Sequence, residues 1–215
     1  MNHRDIILGR IRQSLADRPE VAVPEVPEVW PELQPDRQTM LDRFAEELGA
    51  VDGELHCCNS MDAAKGKLNT LLAELEGEFG VVDHPLTRQL TEGLSEGKVL
   101  SVNDDTDKMT IGGLAASLVG SDLLLADTGS CLVECRTAPE RMMCYLPPVC
   151  VVVARADSLR EHLQVAWREL APRIADPDRR GEFVIITGPS RTADIEKILI
   201  LGVHGPKRLV VLVVE

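Results

Sequence analysis

The sequence predicts an α/β protein: a three-layer sandwich around a mostly parallel sheet, with a helical, Pro-rich N-terminal extension. Three observations support this prediction. Amphipathic stretches with apolar residues three or four positions apart alternate with short apolar runs. Three runs, Val149–Ala154, Phe183–Ile186 and Leu209–Val214, are apolar throughout, which is typical of strands covered on both faces in a parallel sheet. The chain of 215 residues is 44% hydrophobic, which is enough to enclose such a core.

The chain divides into a predicted helical N-terminal extension, residues 1–50, and an α/β domain, residues 51–215. Within the extension, residues 4–17 carry apolar side chains at helical spacing behind Asp5. A second amphipathic helix is expected from Asp36, because aspartate is a preferred cap at helix N-termini.

A proline-rich acidic arm, residues 18–35, joins these two helices and holds five of the 13 prolines. Proline removes a backbone donor and restricts φ, so the arm should be extended rather than helical. The arm is either a solvated linker or a docking segment that uses Val26, Val29 and Trp30.

Shorter apolar runs separated by turn residues are the remaining predicted strands: Leu55–Cys58, Phe79–Val82, Lys98–Val102, Leu114–Val119, Leu123–Ala126 and Cys131–Glu134. Ser60 should cap the helix after the first strand, and a weaker helix is expected near Thr87–Leu94. The acidic run Asp104–Asp107 resembles a metal-chelating cluster, but such runs before an apolar helical stretch are more often N-caps. Ser158–Glu161 matches a capping box, which predicts that a helix begins there.

The formal net charge of −12 lies wholly in residues 1–107, which carry 22 acidic and 10 basic side chains. This charge argues against nucleic acid and against anionic membrane surfaces as partners, because both require a basic face. No apolar run approaches the roughly 18 residues of a spanning helix, and the N-terminus does not resemble a signal peptide. We therefore expect no membrane insertion and a cytoplasmic location.

The six cysteines should then be thiols rather than disulfides. None of them falls in a C-x-x-C pattern or at zinc-finger spacing, so we predict neither a metal site nor a cofactor. Free cysteine is a common small core residue, and packing is the interpretation that we favour for these side chains.

Three loops could carry chemistry, because ligands of open α/β sheets bind in loops at the carboxyl ends of strands. Asp127-Thr128-Gly129-Ser130 offers a carboxylate and two hydroxyls, although the same residues are routine in a tight turn. Residues 187–194, Thr-Gly-Pro-Ser-Arg-Thr-Ala-Asp, could cradle an anion through backbone amides and Arg191, or could simply begin a helix.

The third loop is Gly202-Val203-His204-Gly205-Pro206-Lys207-Arg208. His204 between small residues could act as an acid, a base or a ligand, or could only set the turn. The chain has neither a Walker A sequence nor a G-x-G-x-x-G, which argues against a P-loop NTPase and a standard dinucleotide fold. Together the three loops predict one anion-binding cleft in the electrically neutral half of the chain.

These loops, together with Leu146-Pro147-Pro148, resemble the lactate utilisation protein C family. The order and spacing agree from about residue 100 to the C-terminus, and the N-terminal half matches only in general plan. The family motifs carry over onto Asp127, Thr128, Gly129, Arg141, Gly188, Pro189, Ser190, Asp194, Glu196, His204, Gly205 and Pro206. Residues 134–140 depart from the family, which tends to have glycine and small residues there.

The resemblance implies a fold of the ribose-phosphate isomerase, glucosamine-phosphate deaminase and CoA-transferase type. It also implies a role in oxidising L-lactate to pyruvate beside two iron–sulfur proteins. The leading interpretation is therefore an accessory, ligand-binding or assembly subunit of a lactate-oxidising complex, which leaves a homo-oligomer open.

The alternative is an enzyme acting on a phosphorylated or CoA-linked small molecule. Asp127 or Glu134 would act as base or nucleophile, and His204 as acid/base. Arg191 and Lys207 would bind the anion. In either interpretation, the residues predicted to line the anion site are Thr128, Gly129, Ser130, Arg141, Gly188, Ser190, Arg191, Thr192, Asp194 and Lys207.

Overall fold

The predicted strands are present and alternate with helices in the first half of the chain. The computed structural model describes residues 3–16, 22, 31–94, 98–176, 182–193, 199–201 and 205–215. The strands are β1 Glu54–Cys58, β2 Phe79–Val82, β3 Val99–Val102, β4 Ala116–Gly120, β5 Leu123–Leu125, β6 Ser130–Cys135, β7 Val149–Arg155, β8 Leu159–Arg160, β9 Glu182–Ile186, β10 Arg191–Ala193, β11 Leu199–Leu201 and β12 Arg208–Val214.

The described helices are α1 His3–Ala16, α2 Arg37–Ala50, α3 Met61–Ala73, α4 Pro85–Thr91, α5 Lys108–Gly112, α6 Ala138–Met143 and α7 Leu163–Ala175. The predicted helix caps Asp36 and Ser60 are confirmed. Asp36 accepts a hydrogen bond from the backbone N–H of Thr39 at 2.9 Å, and Ser60 does the same for Ala63 at 3.2 Å. Asp107 caps α5, so the last member of the acidic run 104–107 is a helix cap.

Six strands form the main sheet in the order β1-β12-β7-β4-β2-β3, and every neighbouring pair is parallel. In its interior, Val152 of β7 pairs with Val211 of β12, and Val153 pairs with Leu212. All four side chains are fully buried, because other elements cover both faces of the sheet. The α/β sandwich with a mostly parallel sheet is therefore confirmed.

Helices form the outer layers of this sandwich. On one face, α3 and α4 pack through Leu68 and Leu90, which are at most 1% exposed. On the other face, α2, α5 and α6 pack through Phe44, Ile111 and Met143, which are fully buried. Helix α2 thus belongs to the same core as the sheet.

A second sheet lies between this core and α7, with the order β8-β5-β6-β9. Strands β5 and β6 form an antiparallel hairpin, and β9 is antiparallel to β6. One face of this sheet contributes Leu124 and Cys131 to the main core, and its other face packs Leu132 against Leu170 of α7. Strands β10 and β11 form a separate antiparallel pair.

Two expectations were wrong. Phe183–Ile186 is not a strand of the parallel sheet: it is most of β9, an edge strand on which Ile185 is 48% exposed. The Ser158–Glu161 pattern does not begin a helix, because Leu159 and Arg160 pair with β5 as strand β8. Helix α7 begins at Leu163, with Nδ1 of His162 accepting from the backbone N–H of Val165 at 3.4 Å.

Contacts within the chain separate two units, Met1–Pro31 and Glu32–Glu215. In the first unit, none of the residues of α1 is buried. In the second, the backbone N–H groups of Leu33 and Gln34 donate to the carboxylate of Glu161 at 2.9 and 3.3 Å. The docking residues expected in the arm, Val26, Val29 and Trp30, lie outside the described residues. The domain division at residue 50 stays a prediction.

Candidate functional site

The carboxyl ends of all six parallel strands meet at one edge of the main sheet. At this edge the chain leaves β2 through α4 toward β3 on one side. It leaves β4 through the second sheet and α6 toward β7 on the other side. In open α/β sheets, the crevice between two strands whose connections diverge in this way is the usual ligand site. The residues that follow β2 and β4 are therefore the first place to look for function.

His84 follows β2 and is held rigidly at the start of α4. The ring atom Nδ1 accepts a hydrogen bond from the backbone N–H of Leu86 at 3.2 Å, and the backbone N–H of His84 donates to Thr87 Oγ1 at 3.1 Å. Thr87 is fully buried and donates to the carbonyl of Val82 at 2.6 Å. Since Nδ1 is an acceptor, the neutral imidazole carries its hydrogen on Nε2.

The charge state of His84 is set by its surroundings. Burial lowers the pKa of His84 below its ordinary value of 6.5, and the carboxylates of Asp122 and Asp83 oppose that shift. A histidine that stays neutral near pH 7 and presents Nε2–H is a hydrogen-bond donor rather than a cation or a base.

Asp122, two residues beyond β4, joins the edge of the main sheet to the second sheet. One carboxylate oxygen accepts from Arg173 Nη1 at 2.9 Å, and the other accepts from the backbone N–H of Glu134 at 3.2 Å. The side chain of Glu134 is only 8% exposed and lies 3.6 Å from both Arg173 and Arg136. The predicted catalytic residue Glu134 therefore belongs to this edge of the sheet.

Two adjacent clefts open at this edge, and His84 and Asp122 line both of them. The smaller cleft, of about 100 Å³, also includes Glu134 and Arg136. The larger cleft, of about 530 Å³, is within the usual size range of small-molecule sites. Its other charged residues are Arg155, Asp157, Arg160, Glu169 and Arg173.

The loop 127–130 consists of turn residues of the β5–β6 hairpin and Ser130, the first residue of β6. Ser130, 2% exposed, donates through Oγ to Thr128 Oγ1 at 2.8 Å, and its Oγ lies 2.7 Å from Thr187 Oγ1. Gly129 has φ +62°, and a Cβ built there would overlap the backbone of α2 at Leu48. The structure thus brings the first and second predicted loops together, with one hydroxyl of the first directly bonded to the second.

The second and third loops also touch. The backbone N–H of Ser190 donates to the carbonyl of Pro206 at 2.8 Å, and that of Lys207 donates to Pro148 at 2.8 Å. Gly188 has φ +75°, and a Cβ there would lie 2.6 Å from the carbonyl oxygen of Val51. We name this convergence of residues 127–130, 187–191 and 205–207 the loop cluster.

The loop cluster holds most of the predicted anion-binding residues. Within it, the Arg191 guanidinium is paired with Asp52 at 2.8 Å, while Lys207 is exposed. Thr192 lies in the β10–β11 pair. Asp194 and His204 lie outside the described residues. Arg141, on α6, is paired with Glu182 at 3.2 Å and lines neither carboxyl-edge cleft.

The loop cluster and the carboxyl edge are different places. Lys207 directly precedes β12, at the amino end of the main sheet, whereas His84 and Asp122 lie at its carboxyl end. Ser130 and Glu134 are near opposite ends of β6, which puts about 13 Å between them at the usual strand rise. Sequence reasoning missed His84, Asp122 and Arg155, although each closely follows a predicted strand.

Two kinds of feature are absent from the described residues. No group of three or more His, Cys, Asp or Glu side chains among them is arranged to hold a metal ion. None of the helices in the described ranges is long and apolar enough to cross a membrane.

The fold and clefts define an α/β domain with a polar site at the switch point of a parallel sheet. The sequence profile of a family described as the LUD domain matches residues 41–214, and this chain belongs to that family. The resemblance to lactate utilisation protein C is confirmed by curated relatives.

Three of these relatives are proteins named lactate utilization protein C. The one from Bacillus pumilus is 31% identical over 102 residues, 47% of this chain and 42% of the relative. The one from Halalkalibacterium halodurans is 32% identical over 96 residues, covering 44% and 42%. The one from Deinococcus radiodurans is 32% identical over 101 residues, 46% of each chain. The matched segment thus spans less than half the length of each of these relatives.

A solved structure supports the fold. The crystal structure of a DUF162 family protein from Deinococcus radiodurans matches with a TM-score of 0.61, covering 84% of this chain and 99% of that one. The two sequences are 17% identical, so the similarity concerns the fold alone.

Proposed function

We propose that this chain serves lactate utilisation as an accessory, ligand-binding subunit that works in a complex with iron–sulfur proteins. The observation that carries the proposal is the LUD domain match over residues 41–214, together with relatives named lactate utilization protein C. Because the relatives are matched over less than half of their length, the role of the whole protein is part of the proposal.

The positions of the cysteines support a proposal in which this chain binds a ligand and its partners transfer electrons. Cys131, Cys135, Cys144 and Cys150 are buried in the hydrophobic core that packs α2, α5 and α6 on the sheet. Such thiols act as small apolar side chains. The proposal therefore assigns electron transfer to the iron–sulfur partners and ligand binding to this chain.

Two measurements test the proposal. Deletion of the gene should impair growth of the source organism on L-lactate but not on glucose, and the intact gene should restore it. The tagged full-length chain, isolated without oxygen, should retain iron–sulfur proteins. Normal growth on lactate after deletion, or recovery of the chain alone under both oxidising and reducing conditions, would contradict the proposal.

A second candidate is an enzyme acting on a phosphorylated or CoA-linked small molecule. The observation that favours it is Glu134, a nearly buried carboxylate that lies 3.6 Å from two arginines at the edge of a cleft. Such a carboxylate can act as a nucleophile or a base. Incubation with CoA esters and sugar phosphates, followed by mass spectrometry, tests this function, and unchanged substrates would exclude it for the compounds used.

A further inference from the structure

We propose that the larger carboxyl-edge cleft is a binding site for a small oxyanion that also carries a hydroxyl group, held by Arg155, His84 and Asp157. A hydroxycarboxylate and a sugar phosphate share this chemistry. The site is distinct from the loop cluster, and the proposal is independent of the role in lactate utilisation.

Arg155 supplies the positive charge. It is the last residue of β7, its side chain is exposed, and it lines the cleft. Arg155 makes no ion pair with any of the described residues. A guanidinium presents a planar fork of donors that matches the two oxygens of a carboxylate or a phosphate.

The other two arginines of the cleft are already occupied. Arg160 binds Glu169, with Nη2 to Oε2 at 2.9 Å, and donates through Nη1 to the carbonyls of Asp157 and Leu159 at 2.9 and 2.7 Å. Arg173 is paired with Asp122, as described above. These pairs compensate two of the three positive charges, so Arg155 is the cation that remains for a ligand.

His84 supplies a neutral donor. Its Nδ1 is engaged at the start of α4, while Nε2 makes no hydrogen bond to the described residues and is not sealed from solvent. His84 lines the same cleft as Arg155. A donor that adds no charge can bind a second ligand oxygen without a counter-ion.

Asp157 explains why the ligand should carry a hydroxyl group. Its side chain is exposed and lines the cleft, and its carboxylate has no ion-pair partner among the described residues. A bare anion would be repelled by this carboxylate, whereas a hydroxyl group can donate a hydrogen bond to it. Ser158 Oγ donates to the carbonyl of Arg155 at 2.7 Å, which ties together the short segment that bears both charges.

The test is titration of the full-length chain with matched pairs of probes. The carboxylate pair is L-lactate and propionate, and the phosphate pair is ribose 5-phosphate and inorganic phosphate. Binding is measured by calorimetry and by the ¹⁵N signals of the His84 imidazole. We expect saturable binding of at least one hydroxylated probe, tighter than its partner, with a shift of the Nε2 signal.

Three variants place the ligand in the cleft. Arg155→Gln should weaken binding about tenfold or more, because a charge-assisted hydrogen bond is lost. Asp157→Asn should reduce the preference for the hydroxylated member of each pair. Arg168→Gln is the matched control, since Arg168 is paired with Glu32 at 2.8 Å and does not line the cleft. Its binding should equal that of the unmodified chain.

The outcomes are decisive. If none of the four probes shifts the His84 signals, or if Arg155→Gln binds as tightly as the control, the proposal is wrong. Whether lactate or ribose 5-phosphate binds identifies the source of the oxyanion. The growth and isolation experiments address lactate utilisation separately, so either proposal can fail without the other.

Discussion

The imidazole ring of His84 occupies the space where a side chain at position 120 would lie. A Cβ built on Gly120 would overlap Nδ1 and Cγ of that ring. Gly120 is the last residue of β4 and His84 follows β2, so this contact joins the carboxyl ends of the two neighbouring strands. The glycine is needed here for close approach of a side chain, and its φ is not in the left-handed region.

Gly120→Ala should therefore destabilise the protein by about 1–3 kcal/mol, because the added methyl group overpacks a closed contact and displaces the cap of α4. Urea denaturation measures the effect. The control is Gly66→Ala in the middle of α3, where a Cβ meets nothing within 4 Å. In that variant the free energy of unfolding should rise by roughly 0.5–1 kcal/mol, because alanine favours a helix more than glycine does. Equal urea midpoints for Gly120→Ala and the unmodified chain would contradict the close contact.

Gly129→Ala should be more damaging than Gly93→Ala. Both glycines have positive φ, +62° and +86°, so both variants bear the cost of left-handed backbone, about 1–2 kcal/mol. Only at Gly129 would the Cβ also strike the backbone of α2, whereas nothing lies within 4 Å at Gly93. We expect a clearly larger loss of Tm for Gly129→Ala in a thermal melt. Similar losses in the two variants would mean that the hairpin turn can move away from α2.

His84 should titrate below its ordinary pKa of 6.5, because burial disfavours the charged ring. As the pH falls below 6.5, the unfolded chain takes up this proton before the folded chain does. The free energy of unfolding contributed by His84 therefore decreases from about pH 6.5 down to the folded pKa. NMR titration gives the pKa and the Nε2–H tautomer directly.

The control for this titration is His84→Asn, which keeps a side chain suited to a helix cap but removes the titrating ring. Its stability should be less dependent on pH between 5 and 7, measured by urea denaturation in a series of buffers. A His84 pKa above 6.5 would show that Asp122 and Asp83 outweigh burial.

Cys57 should be the one thiol that reacts with Ellman's reagent in the native protein. It is exposed, while the other five cysteines are buried. Burial of part of its surface and the nearby carboxylates of Glu215 and Asp42 raise the pKa of Cys57, so its reaction should be slower than that of a free thiol. Absorbance at 412 nm should report one thiol before and six after denaturation. Cys57→Ser should remove the native signal, and a fast second thiol would contradict the burial of the core cysteines.

Short sequence patterns predicted most of the helices and strands of this fold correctly. The caps at Asp36, Ser60 and Asp107 depend on hydrogen bonds that span three residues or fewer, so the sequence reports them directly. The continuous apolar runs in β7 and β12 identified the buried centre of the sheet, because both faces of these strands are covered.

The same signals gave wrong predictions where pairing with segments distant in the chain determines the structure. Phe183–Ile186 is as apolar as β7, yet it belongs to the second sheet, where β9 is the last strand in the order and pairs with β6. Leu159 and Arg160 follow a good helix-capping serine, but pairing with β5 satisfies their backbone groups and delays the helix to Leu163.

The candidate site residues also fall into those that the sequence identified and those that it did not. The loops rich in glycine, serine and threonine were identified from their composition, and Ser130, Thr187, Ser190 and Pro206 do converge. The carboxyl-edge clefts could not be found without the strand order, because His84 meets Gly120 only when β4 lies beside β2.

Residue type and short-range periodicity therefore established that this chain is an α/β protein and where most of its helices and strands lie, while the loop motifs carried the resemblance to a family. The order of the strands, the edge position of β9 and the meeting of His84 with Gly120, Asp122 and the arginines came from the folded chain alone. The physical reason is that helix caps and amphipathic faces depend on neighbours in sequence. Strand pairing instead depends on contacts between distant segments, whose free energy no single segment encodes.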